Sequence, residues 1–154
     1  MSRTLRTTQR DDSNTVLLIC DDEDTVPRAR VAFESAETDT ALQLARSPEE
    51  ALARLRGCGQ YEGAALPDLV LLDLDMAGES AYETLDAIRD DPGLKRLPVI
   101  ALTTSPDREE VVRSYEAKAN ACMRKPTDEE SFAEVVAVVD RFWLQRVRLP
   151  PLSR

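Results

Sequence analysis

The chain has 154 residues, with 29 Asp and Glu against 20 Lys and Arg and a formal net charge of −9 at pH 7. That length suits one domain with a full hydrophobic core, no apolar run approaches the roughly 18 residues of a membrane span, and the acidic balance argues against nucleic-acid binding and for protein partners. The sequence contains no histidine, which excludes Ser-His-Asp and Cys-His catalysis, imidazole metal sites and any phosphohistidine carried by this chain. Its three cysteines, Cys20, Cys58 and Cys122, do not make a disulfide framework, so a reducing cytoplasm fits.

Residues 1–14 carry Arg3, Arg6 and Arg10 among Ser and Thr, with no acid before Asp11. They lack the apolar core of a secretory signal and are expected to be a disordered tail. Residues 16–20 read as a short buried strand, followed by the acidic turn Asp21-Asp22-Glu23-Asp24. Pro27 suits the first turn of a helix that carries Val26, Ala29, Phe33 and Ala36. Residues 40–44 are a second strand. Ser47-Pro48-Glu49-Glu50 predicts a helix start, with an N-cap, a proline at N1 and a glutamate at N3, and this helix runs to Gly57.

The third strand, residues 68–72, holds four consecutive Leu or Val residues, the mark of a strand buried on both faces. A helix is expected over residues 80–90. A fourth strand covers residues 99–102, a helix opened by Ser105-Pro106-Asp107 ends near Lys118, and a fifth strand covers residues 121–125. Thr127 to Glu130 is a capping box for a last helix that buries Phe132, Val135, Val136, Val139, Phe142 and Trp143. Strand and helix alternate five times, which implies a parallel sheet with helices on both faces and right-handed crossovers.

The strand ends carry the chemistry. Strand one ends at Cys20-Asp21-Asp22, strand three at Asp73, strand four at Thr103-Thr104 and strand five at Lys125-Pro126. In a parallel sheet these ends share one edge, where α/β folds place their ligands. Alone, each has an ordinary structural use as a cap, a turn residue or a boundary. Together they supply what an aspartyl-phosphate site needs. Asp73 attacks phosphorus, Mg²⁺ bridges Asp21, Asp73 and phosphoryl oxygens, Thr103 donates a hydrogen bond, and Lys125 neutralises charge.

The motifs VLLICDDED, PDLVLLDLDMAG, LPVIALTTS and ANACMRKP resemble the receiver domains of two-component response regulators over residues 15–145. The resemblance implies a flavodoxin-like, doubly wound five-stranded parallel sheet of order 2-1-3-4-5. It also implies Asp73 as phosphoacceptor from a sensor histidine kinase, with Thr103 and Lys125 in the pocket and Mg²⁺ held by Asp21, Asp73 and the main-chain carbonyl of Asp75. Any enzymatic activity would be limited to self-phosphorylation and autodephosphorylation. The LTTS string, the loop between Gly57 and Pro67 and the ending from Phe142 to Pro150 are similar to the stand-alone regulators paired with bacterial and cyanobacterial phytochromes. That likeness implies a bacteriophytochrome kinase as partner and a homodimer that uses residues 146–154, where Val147, Leu149 and Leu152 are apolar.

Four positions depart from the family pattern. Cys20 stands where the first pocket acid belongs, and a neutral thiol is a poor match for Mg²⁺. Ala77 replaces a loop proline, Ala81 replaces a helix-opening glycine, and Cys122 replaces the aromatic switch residue of the fifth strand. Cys20 and Cys122 sit three strands apart in the implied order and are not expected to pair. Two other readings stay open: a receiver-like dimeric docking module that no longer signals by phosphorylation, and a haloacid-dehalogenase-type phosphatase in which Asp73-Leu74-Asp75 is the nucleophile motif and Asp75 the general acid.

Overall fold

Leu69-Val70-Leu71-Leu72 lies at the centre of a parallel sheet, and all four side chains are fully buried. The computed structural model describes residues 14–36 and 40–144. Its strands are β1 (Thr15–Ile19), β2 (Ala41–Ala45), β3 (Leu69–Asp73), β4 (Val99–Thr103) and β5 (Ala121–Arg124). They run parallel in the order β2-β1-β3-β4-β5. The helices are α1 (Thr25–Ser35), α2 (Pro48–Arg56), α3 (Ser80–Asp90), α4 (Arg108–Glu116) and α5 (Glu129–Val138). This is the flavodoxin-like, doubly wound arrangement that the resemblance implied.

The pleat sorts alternate residues onto two cores. Val16, Leu18, Leu69, Leu71, Ile100 and Leu102 face α1 and α5, where they meet Ala29, Phe33, Phe132, Val135 and Val136. Leu17, Ile19, Val70, Leu72, Val99 and Ala101 face the other way, against Ala51 and Leu55 of α2 and Leu85 and Ile88 of α3. Phe132 is fully buried. Phe132→Ala is expected to cost about 3–5 kcal/mol, read as a lower urea midpoint at unchanged slope.

Local chemistry sets the helix ends. Ser47 accepts a hydrogen bond from the Glu50 amide at 3.1 Å, and Gly57 ends α2 at φ 67°. Glu50 reaches back to the amide of Arg46 and not to that of Ser47. Asp107 caps α4. At α5 the cap is Asp128, which accepts from the Ser131 amide at 2.7 Å, so the expected Thr127 box is displaced by one residue, with another favoured N-cap type in the role.

A second difference lies at the C-terminal end of α5, where Val139–Leu144 widens into a π-helical turn. The added residue per turn rotates the register, so Val139 stays buried while Phe142 is 53 % exposed and Trp143 packs partly on the core. Phe142 is therefore not the core residue its spacing suggested. Cys20 and Cys122 are both free, as expected. The expected N-terminal tail and the apolar residues Val147, Leu149 and Leu152 lie outside the described residues, apart from Asn14.

Candidate functional site

Three of the chemically loaded residues meet because they share one side of the pleat. Cys20, Asp73 and Lys125 each follow, at a spacing of two, a residue on the α1–α5 face: Leu18, Leu71 and Met123. Ladder bonds carry this order past the strand ends. The Cys20 amide donates to the Ala45 carbonyl at 2.9 Å, and the Lys125 amide to the Thr103 carbonyl at 2.8 Å. Thr103 has the opposite parity, in line with Val99 and Ala101, and so points elsewhere.

Asp73 is the hub, with only 1 % of its surface exposed. Its Oδ2 accepts from Lys125 Nζ at 2.9 Å and from Cys20 Sγ at 3.1 Å. Its Oδ1 accepts from the Asp75 amide at 2.8 Å. The carboxylate is thus fixed by a cation, a thiol and a backbone N–H. This is the usual requirement for keeping a charge in a low-dielectric setting.

Lys125 is shared. Its ammonium also lies 3.2 Å from Asp22 Oδ2 and 3.9 Å from Asp75 Oδ2. Burial alone would lower its pKa, but the hydrogen bond and charge of Asp73, and then Asp22, outweigh that and hold it above the ordinary lysine value. Cys20 behaves oppositely. Burial first, then the neighbouring Asp73, push its thiol up to about 12, against a hydrogen bond from the Asp22 amide that lowers it. It is therefore a neutral donor to Asp73 at pH 7.

Asp22, one position after the usual acid pair, also faces the pocket. It accepts from the Thr25 hydroxyl at 2.6 Å and the Asp24 amide at 2.9 Å, so it opens α1 while it also faces Lys125. The Thr25 hydroxyl, then the Asp24 amide, and less strongly Lys125 lower its pKa from 3.8 to about 2. A folded value below the unfolded one contributes stability that is complete above about pH 4 and is lost as the pH falls towards about 2. In EDTA, Asp22→Asn is expected to flatten that part of the urea-midpoint profile relative to the parent chain. Asp21, by contrast, is exposed, with no side-chain hydrogen bond or ion pair to a described residue.

Thr103 is fully buried, and its hydroxyl lies 3.4 Å from Asp75 Oδ1. Asp75 Oδ2 accepts from the Thr104 amide at 3.0 Å. The Asp75 carboxylate thus latches the loop after β4, and the Thr103 hydroxyl donates to Asp75 and not to Asp73. Burial first raises the half-buried Cys122 thiol above its ordinary value. The ring in that region belongs to Tyr82 of α3, which donates to Glu110 at 2.7 Å and lies under the Arg113 guanidinium, which pairs in turn with Glu79. No spacing rule marked this cluster, because its members come from separate elements.

Among the described residues, no three Cys, Asp or Glu side chains converge closely enough to grip a metal ion. The Asp21 and Asp73 carboxylates and the Asp75 carbonyl are hard oxygen donors, the type that Mg²⁺ takes.

A family model described as the response regulator receiver domain matches residues 16–137. The chain is 35% identical over 143 residues to response regulator Rcp1 of Synechocystis, an alignment that covers 91% of this chain and 97% of that one. It is 29% identical over 142 residues to the probable methanogenesis regulatory protein FilR2 of Methanothrix harundinacea, over 92% and 91% of the two chains. Two crystal structures superpose closely, each over 90% of this chain and 99% of the other. The Mn²⁺-bound form of Rcp1 gives a TM-score of 0.77 at 32% identity. The phosphorylated cyanobacterial phytochrome response regulator RcpA gives 0.81 at 30%.

Proposed function

Because the chain belongs to the family of response regulator receiver domains, we propose that it acts as a single-domain response regulator that takes a phosphoryl group onto Asp73 from the histidine of a sensor kinase. The observation that carries this reading is the Asp73 carboxylate, buried at the end of the central strand and aimed by Lys125 and the Asp75 amide.

In the reaction, an oxygen of Asp73 forms a new P–O bond as the P–N bond to the donor imidazole breaks, and the bonding electron pair returns to the imidazole nitrogen. Lys125 offsets the negative charge gathered on the phosphoryl oxygens. The Asp75 amide holds the second carboxylate oxygen and so fixes the attack direction. Asp21, Asp73 and the Asp75 carbonyl would hold a divalent cation, which supplies further charge neutralisation when bound. Water later hydrolyses the acyl phosphate. The Thr103 hydroxyl, which now faces Asp75, is the donor within reach of the loop that must rearrange. The output then travels through the Thr103–Asp75 latch and not through a ring on β5, since Cys122 has none.

A phytochrome-type kinase is the partner that the likeness to RcpA favours, acting in the cytoplasm on a homodimer of this chain. The test is incubation with acetyl phosphate, or with a phosphorylated kinase fragment, in Mg²⁺, followed by intact mass. A gain of one phosphoryl group supports signalling. An unchanged mass with a persistent dimer by light scattering would favour the docking module, which the thiols at positions 20 and 122 motivate.

A further inference from the structure

The helix α4 has the thinnest hold on the body of the fold. α1, α3 and α5 each bury large apolar side chains: Val26 and Phe33, Leu85 and Ile88, Phe132 and Val136. In α4 the only fully buried residue is Ser114, and its hydroxyl donates to the Val111 carbonyl of the same helix at 2.8 Å. Val112 and Tyr115 are exposed. With nine residues, α4 is too short to persist alone in water. Whatever fastens it to its neighbours therefore also keeps it helical.

The fastenings differ at the two ends. Beyond the C-terminal end, Arg89 of α3 donates to the Lys118 carbonyl at 2.9 Å and to the Asn120 side chain at 3.0 Å. At the N-terminal end the Tyr82 hydroxyl of α3 donates to Glu110 at 2.7 Å. Glu110 lies in the first turn of α4, where its amide is bound by the Asp107 cap at 2.8 Å. Arg113 sits 3.9 Å from the centre of the Tyr82 ring and pairs with Glu79 before α3. That ion pair is exposed on both sides and contributes little. Tyr82 is 8 % exposed, and a hydrogen bond to a carboxylate is of the stronger kind. Burial, then Glu110, hold its phenol above the ordinary tyrosine value, so it stays a donor at neutral pH.

From this arrangement we infer that Tyr82 is a clasp: its hydroxyl holds the N-terminal end of α4 closed, and breaking that bond releases α4 about the end that Arg89 holds. The loop from Thr103 to Asp107 leads straight into the clasped turn. Asp75 fastens the start of the same loop through Thr103 and Thr104. Latch and clasp thus act in series along one segment, and opening the clasp loosens the loop and bares the side of β5 on which α4 packs. Opening needs no phosphoryl group, so the test does not depend on the receiver reading.

The experiment is amide hydrogen exchange on the full chain without phosphodonor, comparing α4 amides with those of β3 at several sub-denaturing urea concentrations. In the parent, α4 amides should exchange faster than β3 amides and with almost no urea dependence, the mark of a local opening. Tyr82→Phe keeps the ring under Arg113 and removes only the hydroxyl. It should speed α4 exchange roughly 10-fold. Glu110→Ala removes the acceptor and serves if Tyr82→Phe folds poorly; it should give a similar increase. The double variant should exchange little faster than either single one, because both break the same bond. Three results would each overturn the clasp: α4 amides that share the rates and urea dependence of β3, α4 rates unchanged in Tyr82→Phe, or single-variant increases that multiply in the double variant.

Discussion

Asp73→Asn is expected to abolish phosphoryl acceptance, leaving the intact mass unchanged under conditions that load the parent chain. An amide oxygen is a far weaker nucleophile than a carboxylate, and no other carboxylate shares the position. Asp22 and Asp75 lie beside Lys125, but each is drawn off by its own hydrogen bonds, to Thr25 and Asp24 or to Thr103 and Thr104. The variant should fold. Asn is nearly isosteric, and its side-chain oxygen can still accept from the Asp75 amide, while Lys125 keeps Asp22 as a partner. Circular dichroism alongside the mass assay separates loss of chemistry from loss of fold. An Asp73→Asn protein that still gains a phosphoryl group would place the acceptor elsewhere.

The second large effect concerns stability. Lys125→Met preserves most of the stem packing but removes the cation from a carboxylate that is 1 % exposed. Breaking a buried pair from one side costs about 3–5 kcal/mol, because a charge is left without its partner. The Cys20 thiol and the Asp75 amide still donate to Asp73, so the low end, about 3 kcal/mol, is expected. The control is the double variant Lys125→Met, Asp73→Asn. With the charge gone from both sides, most of the lost stability should return in urea titrations. A double variant no more stable than Lys125→Met would mean that the lysine acts through packing and not through its charge.

These two residues were also the most legible in the sequence. Leu69-Val70-Leu71-Leu72 can only be a strand buried on both sides, so the carboxylate that closes it had to sit at the sheet edge. Lys125 followed the same logic on β5, and the alternation of elements made the sheet order readable through the resemblance. What stayed hidden depends on side-chain direction beyond the strands. Three consecutive positions, Cys20, Asp21 and Asp22, follow β1, and only the path of the turn into α1 decides that Asp22 faces Lys125 while Asp21 stays exposed. Thr103 is where the motif put it, yet its parity on β4 turns its hydroxyl towards Asp75. Phe142 kept a helical spacing from Val139, but the π-helical turn moved it to the surface. The Tyr82–Glu110–Arg113–Glu79 cluster had no signal at all in one dimension, since it joins α3, α4 and the loop before α3.

The position of Cys20 connects the site to the fold. As a neutral thiol it lets the buried Asp73 remain hydrogen-bonded without a second negative charge beside it. A typical acid pair would add repulsion that a bound cation must relieve. The chain therefore reaches a satisfied resting pocket through Lys125 and Cys20, while the nucleophile itself is kept.

The most direct test of the account is to locate the phosphoryl group by chemistry. After incubation with acetyl phosphate and Mg²⁺, reduction with borohydride converts an acyl phosphate on aspartate to homoserine, and tandem mass spectrometry reads its position. The account predicts homoserine at residue 73 in the parent chain and none in the Asp73→Asn variant. Homoserine at any other aspartate, or a parent chain that never forms it, would contradict the claim that Asp73 is the phosphoacceptor.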